Sequence, residues 1–151
     1  MWSYIRISFK TSSSLDIFLI PIVLAKKYKY AFITVGQIKS PDLRIKLYGL
    51  GVSAGFDFPT IISPRSYLSS HSYVGKGTIL MHDVLVNANS RIGNNCIINS
   101  KSLIEHDVVI ENNCHISTRA TINGGVIVKN NSFIGSCSVI KQNLKIGKNC
   151  F

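Results

Sequence analysis

A branched aliphatic residue recurs at every sixth position from Ile62 to Ile146, and this period constrains the fold more than any other feature of the sequence. All fifteen positions of the column are Ile, Leu or Val, and no insertion interrupts the register. The fourth residue after each aliphatic is mostly small, as at Ser90, Cys96 and Ser102. Neither a helix, with a period of about 3.6 residues, nor simple strand alternation produces a period of six. The pattern therefore predicts a repeating inward-facing corner, with one large and one small residue per hexad.

A second period of 18 residues is superimposed on the first. Every third hexad carries Gly or Asn after its aliphatic residue, as in Val74-Gly75-Lys76-Gly77 and Ile92-Gly93-Asn94-Asn95. Gly and Asn adopt positive φ most readily, so this column is predicted to form one turn of each coil. Three hexads per coil predict a triangular prism whose coils stack by parallel strand pairing. About five coils, at about 4.8 Å each, would give a prism roughly 24 Å tall.

The chain divides into three parts on this basis. Residues 1–25 match no structural pattern; they carry weak features of a signal peptide, but a polar stretch and a proline within the apolar run argue against that interpretation. Residues 26–61 are predicted to form a partial α/β unit, with a strand that ends at Gly36 and a helix that begins near Pro41. No glycine-rich phosphate loop precedes this unit. Residues 62–151 form the predicted prism.

Composition limits the classes of partner. The net charge is +10, from 17 Lys+Arg against 7 Asp+Glu, but in the prism the basic residues are scattered singly. The prism lacks the clustered basic stripe of a nucleic-acid interface, and a small anionic ligand, such as a phosphorylated cofactor, fits the net charge as well as a nucleic acid does. A hydrophobic content of 46% with 16% charged residues excludes intrinsic disorder. No apolar run is long enough to span a bilayer, and a cytoplasmic location is predicted.

The four cysteines are predicted to be free thiols. They form no C-x-x-C pair and no zinc-ligand spacing, so no metal site is expected. Cys96, Cys114 and Cys150 share one column of the small inward corner, which predicts a packing role. Cys137 lies outside that column and has no specific interpretation.

Among the four histidines, His106 has the most unusual surroundings. It lies between Glu105 and Asp107, in a region of the prism otherwise rich in aliphatic residues. Flanking carboxylates favour the imidazolium form and raise basicity, which suits general-base chemistry on an amine or hydroxyl. The alternative is a solvated polar turn. His71 and His82 are predicted to be surface residues.

The stretch Asn99 to Asp107 reads Asn-x-x-x-x-Ile-Glu-His-Asp and is followed by His115-Ile116-Ser117. With the hexad period, it resembles the left-handed β-helix, hexapeptide-repeat sugar O/N-acetyltransferases, in the branch of sialic-acid O-acetyltransferases and UDP-4-amino-sugar N-acetyltransferases. The resemblance runs from about Ala31 to Phe151. It implies a left-handed parallel β-helix preceded by a Rossmann-like segment. It also implies an acetyl-CoA-dependent transferase that acts on an amino sugar or sialic acid, nucleotide-linked, in bacterial surface-glycan biosynthesis. The family forms homotrimers with the active site between subunits.

The same resemblance implies a role for each matching residue. His106 is the general base and Asp107 tunes it; the other expected contacts are Asn99 with the acceptor sugar, His115, Gly124 and Ser136 with acetyl-CoA, and Gly36 with the nucleotide. No metal and no covalent enzyme intermediate is implied.

Two departures from the family are evident. The glycine-rich nucleotide-binding turn is not found, and the chain is expected to be truncated at both ends relative to the family. The alternative function is therefore a truncated, catalytically impaired trimeric prism. A third is a different hexapeptide-repeat activity on a small hydroxyl or amine acceptor, because fold alone does not establish function.

Overall fold

The computed structural model describes the backbone of residues 5–7 and all of residues 23–151. The signal-peptide features of residues 1–25 lie largely outside the described residues. Residues 23–25 are helical, and the named elements before the prism are β1 Ile5–Ile7, β2 Ala31–Ile33 and α1 Asp42–Ser53. Among the described residues, no helix is both long enough and apolar enough to cross a membrane.

Fifteen two-residue strands follow, one per hexad. They are β3 Ile61–Ile62, β4 Tyr67–Leu68, β5 Tyr73–Val74, β6 Ile79–Leu80, β7 Leu85–Val86, β8 Arg91–Ile92, β9 Ile97–Ile98, β10 Leu103–Ile104, β11 Val109–Ile110, β12 His115–Ile116, β13 Thr121–Ile122, β14 Ile127–Val128, β15 Phe133–Ile134, β16 Val139–Ile140 and β17 Lys145–Ile146. Each strand pairs in parallel with the strand 18 residues away, as in Leu103 with Leu85 and Thr121.

The strands form the three faces of a parallel β-solenoid of five coils. The first face contains β3, β6, β9, β12 and β15; the second contains β4, β7, β10, β13 and β16; the third contains β5, β8, β11, β14 and β17. This arrangement confirms the predicted prism with three hexads per coil.

The inward columns of the sequence form the core. The aliphatic column is fully buried through the central coils, as at Ile92, Ile110 and Val128, and the small residues between them are buried too. Ile62, which was predicted to face inward, is 42% exposed, because it lies in the first coil and no coil packs below it in the described residues. Cys96 and Cys114 are buried as predicted, whereas Cys150 lies exposed in the last coil.

From Gly77 onward, positive φ occurs at every corner, not at one corner per coil as the Gly/Asn column predicted. Residues in this conformation recur every six positions, and they include Lys101, Asp107, Arg119 and Cys137 with φ of about 60°. The solenoid geometry thus imposes the left-handed conformation even on side chains that rarely adopt it. Each strand from β5 onward is therefore followed by a turn at which the alternation of side chains breaks.

The segment before the prism packs on the first face. Arg44 on α1 is fully buried and donates to the carbonyls of Ile33 and Val35 at 2.6 and 2.9 Å, and to those of Asn95 and Gly77 at 3.3 and 3.4 Å. These bonds tie α1 to β2 and to two corners of the solenoid.

The strand and helix predicted in residues 26–61 are present as β2 and α1. A single parallel bridge between Tyr30 and Asp57 and the parallel pair of β1 with β2 complete the observed pairing. Among the described residues, two paired three-residue strands, the short helical stretch 23–25 and α1 do not make a doubly wound sheet, so the Rossmann-like segment is not confirmed. Ile97, an apolar residue outside the inward column, is buried beneath this segment.

Candidate functional site

The predicted base lies at a corner of the solenoid. His106 and Asp107 form the turn between β10 and β11, and Asp107 has a φ of 60°. Because alternation breaks at this turn, the Asp107 side chain comes back to the ring, and its Oδ2 lies 2.8 Å from His106 Nδ1. The resemblance implies that Asp107 tunes this base, and the structure brings the two side chains into contact. Backbone bonds from Asp107 N to Ala88 O and from Gly125 N to His106 O fix the corner between its neighbours.

The ion pair sets the protonation of both groups. The hydrogen bond from Asp107 raises the pKa of His106, and the same bond, followed by one from Asn89, lowers the pKa of Asp107. A carboxylate accepts the Nδ1 proton, so the neutral ring carries its lone pair on Nε2. No hydrogen-bond partner of Nε2 is found among the described residues. The ring is 62% exposed, so this lone pair is open to a ligand.

A groove of about 370 Å³ opens at this corner, lined by Glu105, His106, Asp107, Asn123, Gly124, Gly125, Gln142 and Asn143. Gly124 lies directly beside the imidazole: a Cβ at this position would lie 2.8 Å from both Cε1 and Nε2 of His106. The ring therefore occupies the space that any other side chain at position 124 would fill.

The coil below supplies two amides that the sequence analysis missed. Asn89 Nδ2 donates to Asp107 Oδ1 at 2.6 Å, and Asn87 Nδ2 donates to Glu105 Oε2 at 3.0 Å. Both asparagines lie 18 residues before the carboxylate that they contact. The 18-residue stacking period of the sequence would have been enough to predict both contacts.

A second His-Asp turn provides a contrast. His82 and Asp83 form the equivalent turn after β6, and Asp83 also has positive φ. There, both carboxylate oxygens accept from Arg65, and His82 Nδ1 bonds the hydroxyl of Ser63 at 2.7 Å. A carboxylate free of Arg is what distinguishes the His106 corner. His82 and His71 are exposed, as predicted.

A second cavity brings together three other predicted residues. Gly36, Asn99 and His115 line a space of about 300 Å³ between the N-terminal segment and the first face, with Arg44 and Met81 among the other lining residues. None of the described residues that line this cavity is acidic. Four of the five guanidinium N–H donors of Arg44 are used by carbonyls, and burial lowers its pKa to about 10, so it stays charged at neutral pH.

His115 is neutral in this cavity. Its Nδ1 donates to the carbonyl of Gln37, and burial lowers its pKa. Its Nε2 is buried and has no partner among the described residues. Asn99 uses its Oδ1 to accept from Ser100 N at 2.8 Å, which orients the amide. The cavity thus offers an acceptor on His115 and a buried cation on Arg44.

The remaining predicted residue, Ser136, lies apart from both spaces. It is exposed at a corner between the first and second faces and shares a hydrogen bond of 2.8 Å with the Ser117 hydroxyl. Within one chain, the seven predicted residues therefore fall into the His106 groove, the His115 cavity and this isolated serine.

The two sites flank the second face. Asn99 follows β9 at one corner, and His106 follows β10 at the next. The outward residues between these corners are mostly apolar, with Tyr67 59%, Leu85 37% and Val139 69% exposed.

Residues 107–142 match the family model described as bacterial transferase hexapeptide (six repeats), which confirms the hexapeptide-repeat prediction. No curated protein matches the chain.

Solved structures share the fold. The acetyltransferase domain of PglB from Neisseria gonorrhoeae FA1090, in complex with acetyl coenzyme A, superposes with a TM-score of 0.78 at 23% identity, over 85% of this chain and 61% of that one. PerB from Caulobacter crescentus, in complex with CoA and GDP-perosamine, gives 0.68 at 22% identity, over 89% and 71%. A histidine-to-asparagine variant of perosamine N-acetyltransferase from the same organism, also with CoA and GDP-perosamine, gives 0.69 at 22%, over 88% and 69%. The chain spans less than two thirds of the PglB domain.

Proposed function

We propose that this chain is an acetyl-CoA-dependent acetyltransferase that acts on a nucleotide-linked amino sugar. One observation carries the proposal: His106 lies in an open groove with Asp107 bound to Nδ1 and Nε2 free. This is the arrangement that a general base needs. The likeness to solved structures in complex with acetyl-CoA, or with CoA and GDP-perosamine, supports the choice of substrates.

The reaction follows from this geometry as a direct transfer. His106 Nε2 takes a proton from the acceptor amine while the amine nitrogen attacks the thioester carbonyl carbon of acetyl-CoA. A C–N bond forms, the C–S bond breaks, and the thiolate takes up the proton and leaves as free CoA. Asp107 holds the ring in the required tautomer and stabilises the imidazolium while it carries the proton. A hydroxyl acceptor would react by the same steps.

The His115 cavity is proposed to hold the acceptor. Asn99 and Gly36 line it, and the buried Arg44 cation without a neighbouring carboxylate favours an anionic group such as the sugar's phosphates. The α/β segment then acts as the nucleotide-facing wall of the site. His115, Gly124 and Ser136 are proposed to contact acetyl-CoA.

We propose a homotrimer in which neighbouring copies bring the two sites together. The apolar second face, between the His106 and Asn99 corners, supports burial against another copy. We also propose that the coil is left-handed, which is what the family resemblance implies. A cytoplasmic location is also proposed, and the four free cysteines support it.

The direct test is CoA release from acetyl-CoA with a panel of nucleotide-linked amino sugars, with the product identified by mass as the acetylated sugar. His106→Ala should lower turnover by about a hundredfold or more, the scale of general-base loss. His82→Ala is the matched control, because it removes a histidine from an equivalent turn and should retain full activity. A folded wild-type trimer without turnover on any acceptor would contradict the proposal and favour the non-catalytic prism.

The shared site has its own test. His106→Ala and Asn99→Ala chains, each inactive alone, are mixed and allowed to exchange subunits. Random mixing of equal amounts leaves about one site in four with both residues intact, so about a quarter of wild-type activity should return. No recovery after demonstrated exchange would place both residues in a site within one subunit.

A further inference from the structure

We infer that Asn89 is a positioning residue for the proposed base, holding the Asp107 carboxylate so that His106 keeps its proton on Nδ1. The inference rests on the proposed function for its catalytic meaning. Its structural content, the tautomer of His106, stands independently.

The contacts form one continuous line. Asn89 Nδ2 donates to Oδ1 of Asp107 at 2.6 Å, and Oδ2 of the same carboxylate accepts from His106 Nδ1 at 2.8 Å. Both Asn89 and Asp107 are corner residues with φ near 60°, stacked one coil apart. The amide and the imidazole therefore occupy different oxygens of one carboxylate and do not compete.

The amide matters because the carboxylate is exposed. The Asp107 side chain is 53% exposed, and without a partner it could rotate about χ1 and χ2. A hydrogen bond from a neighbouring coil removes that freedom and leaves Oδ2 aimed at the ring. Asn87 makes the matching bond to Glu105, so both acids beside His106 are held from below.

Among the described residues, the charged groups that line the groove with His106 are Glu105 and Asp107. The coil below contributes Asn87, Ala88 and Asn89, and the coil above contributes Asn123 and glycine. The tautomer of His106 thus depends chiefly on where the Asp107 carboxylate points.

The test variant is Asn89→Gly, because glycine accepts the positive φ of this corner and removes only the amide. The control is Asn131→Gly, which removes an amide from a corner residue with φ of 64° that bonds Asn149 and lies outside the groove. Side-chain ¹⁵N spectra of histidine-labelled protein report the tautomer directly. We expect the Nδ1–H population of His106 to fall in Asn89→Gly and to stay unchanged in the control.

Kinetics provide the second measurement. Turnover should fall about fivefold to tenfold in Asn89→Gly, less than in Asp107→Asn, with KM for both substrates unchanged. An unchanged tautomer together with unchanged turnover would overturn the inference. If the tautomer shifts in Asn89→Gly while the wild-type protein shows no acetyl transfer, the positioning role is upheld and the proposed function is refuted. The two failures are therefore distinguishable.

Discussion

Gly124→Ala should separate activity from stability, because the three atoms nearest to an added Cβ all belong to the ring of His106, the proposed base. The added Cβ would lie 2.8 Å from two ring atoms of His106 and 3.3 Å from Nδ1. Ordinary contacts begin near 3.4 Å, so the ring must move by about 0.6 Å or more. His106 is 62% exposed and can swing outward, but it then loses its place relative to Asp107 and the groove.

Turnover and stability are expected to respond differently to Gly124→Ala. Displacement of a reacting group by about 1 Å can cost about a hundredfold in rate, so we expect turnover to fall by about tenfold to a hundredfold. Gly124 has no positive φ, and replacing such a glycine by alanine reduces the entropy of the unfolded chain. The free energy of unfolding should therefore stay unchanged or rise by up to about 1 kcal/mol.

Turnover in the CoA-release assay and thermal unfolding by circular dichroism measure the two effects. Gly49→Ala is the control, because it adds a methyl group on α1 with nothing within 4 Å. It should stabilise the protein and leave turnover intact. Wild-type turnover in Gly124→Ala, or a loss of turnover that simply follows a loss of stability, would refute the steric reasoning.

Three further predictions concern the His106–Asp107 pair, the buried Arg44 and the solenoid core. The midpoint of the acidic limb of the pH profile of kcat/KM should lie above the ordinary pKa of histidine, because activity is lost as pH falls through the raised pKa of His106. Asp107→Asn should move this midpoint to lower pH. Arg44→Leu leaves four carbonyls without their donor and should lower the free energy of unfolding by on the order of 3 kcal/mol in urea titrations, with Arg44→Lys intermediate. Ile110→Asp, which buries an unpaired charge at a position that is 1% exposed, should abolish the β-sheet circular dichroism signal, whereas Ile110→Val should preserve it.

The solenoid could be predicted from sequence because its core has a short period. Each coil repeats the same inward residues, so Ile92, Ile110 and Val128 fall in one column without any knowledge of long-range contacts. The same period places Asn89 beneath Asp107 and Gly124 above His106, and both relations could have been obtained by counting 18 residues.

The docking of the N-terminal segment could not be predicted in this way. Arg44 binds backbone carbonyls of residues between 9 and 51 positions away, and a carbonyl carries no signature of residue type. His115 is buried for the same reason: its partner is the Gln37 carbonyl, 78 residues away. Sequence reasoning identified the residues of the cavity only through the resemblance, and its walls come from contacts without any periodicity.

The second face offers the last prediction, because a single chain leaves the His106 groove and the His115 cavity at different corners. Leu103 lies at the centre of this face, paired with Leu85 and Thr121. Leu103→Asp places a charge where we propose that another copy packs, so sedimentation should show monomers at micromolar concentration and turnover should fall with the trimer. Leu43→Asp adds the same charge to an exposed leucine on α1 and should leave both unchanged. The His106 tautomer, set within one chain, should be the same in all three proteins. A monomeric Leu103→Asp protein with full turnover would show that one chain assembles the site alone.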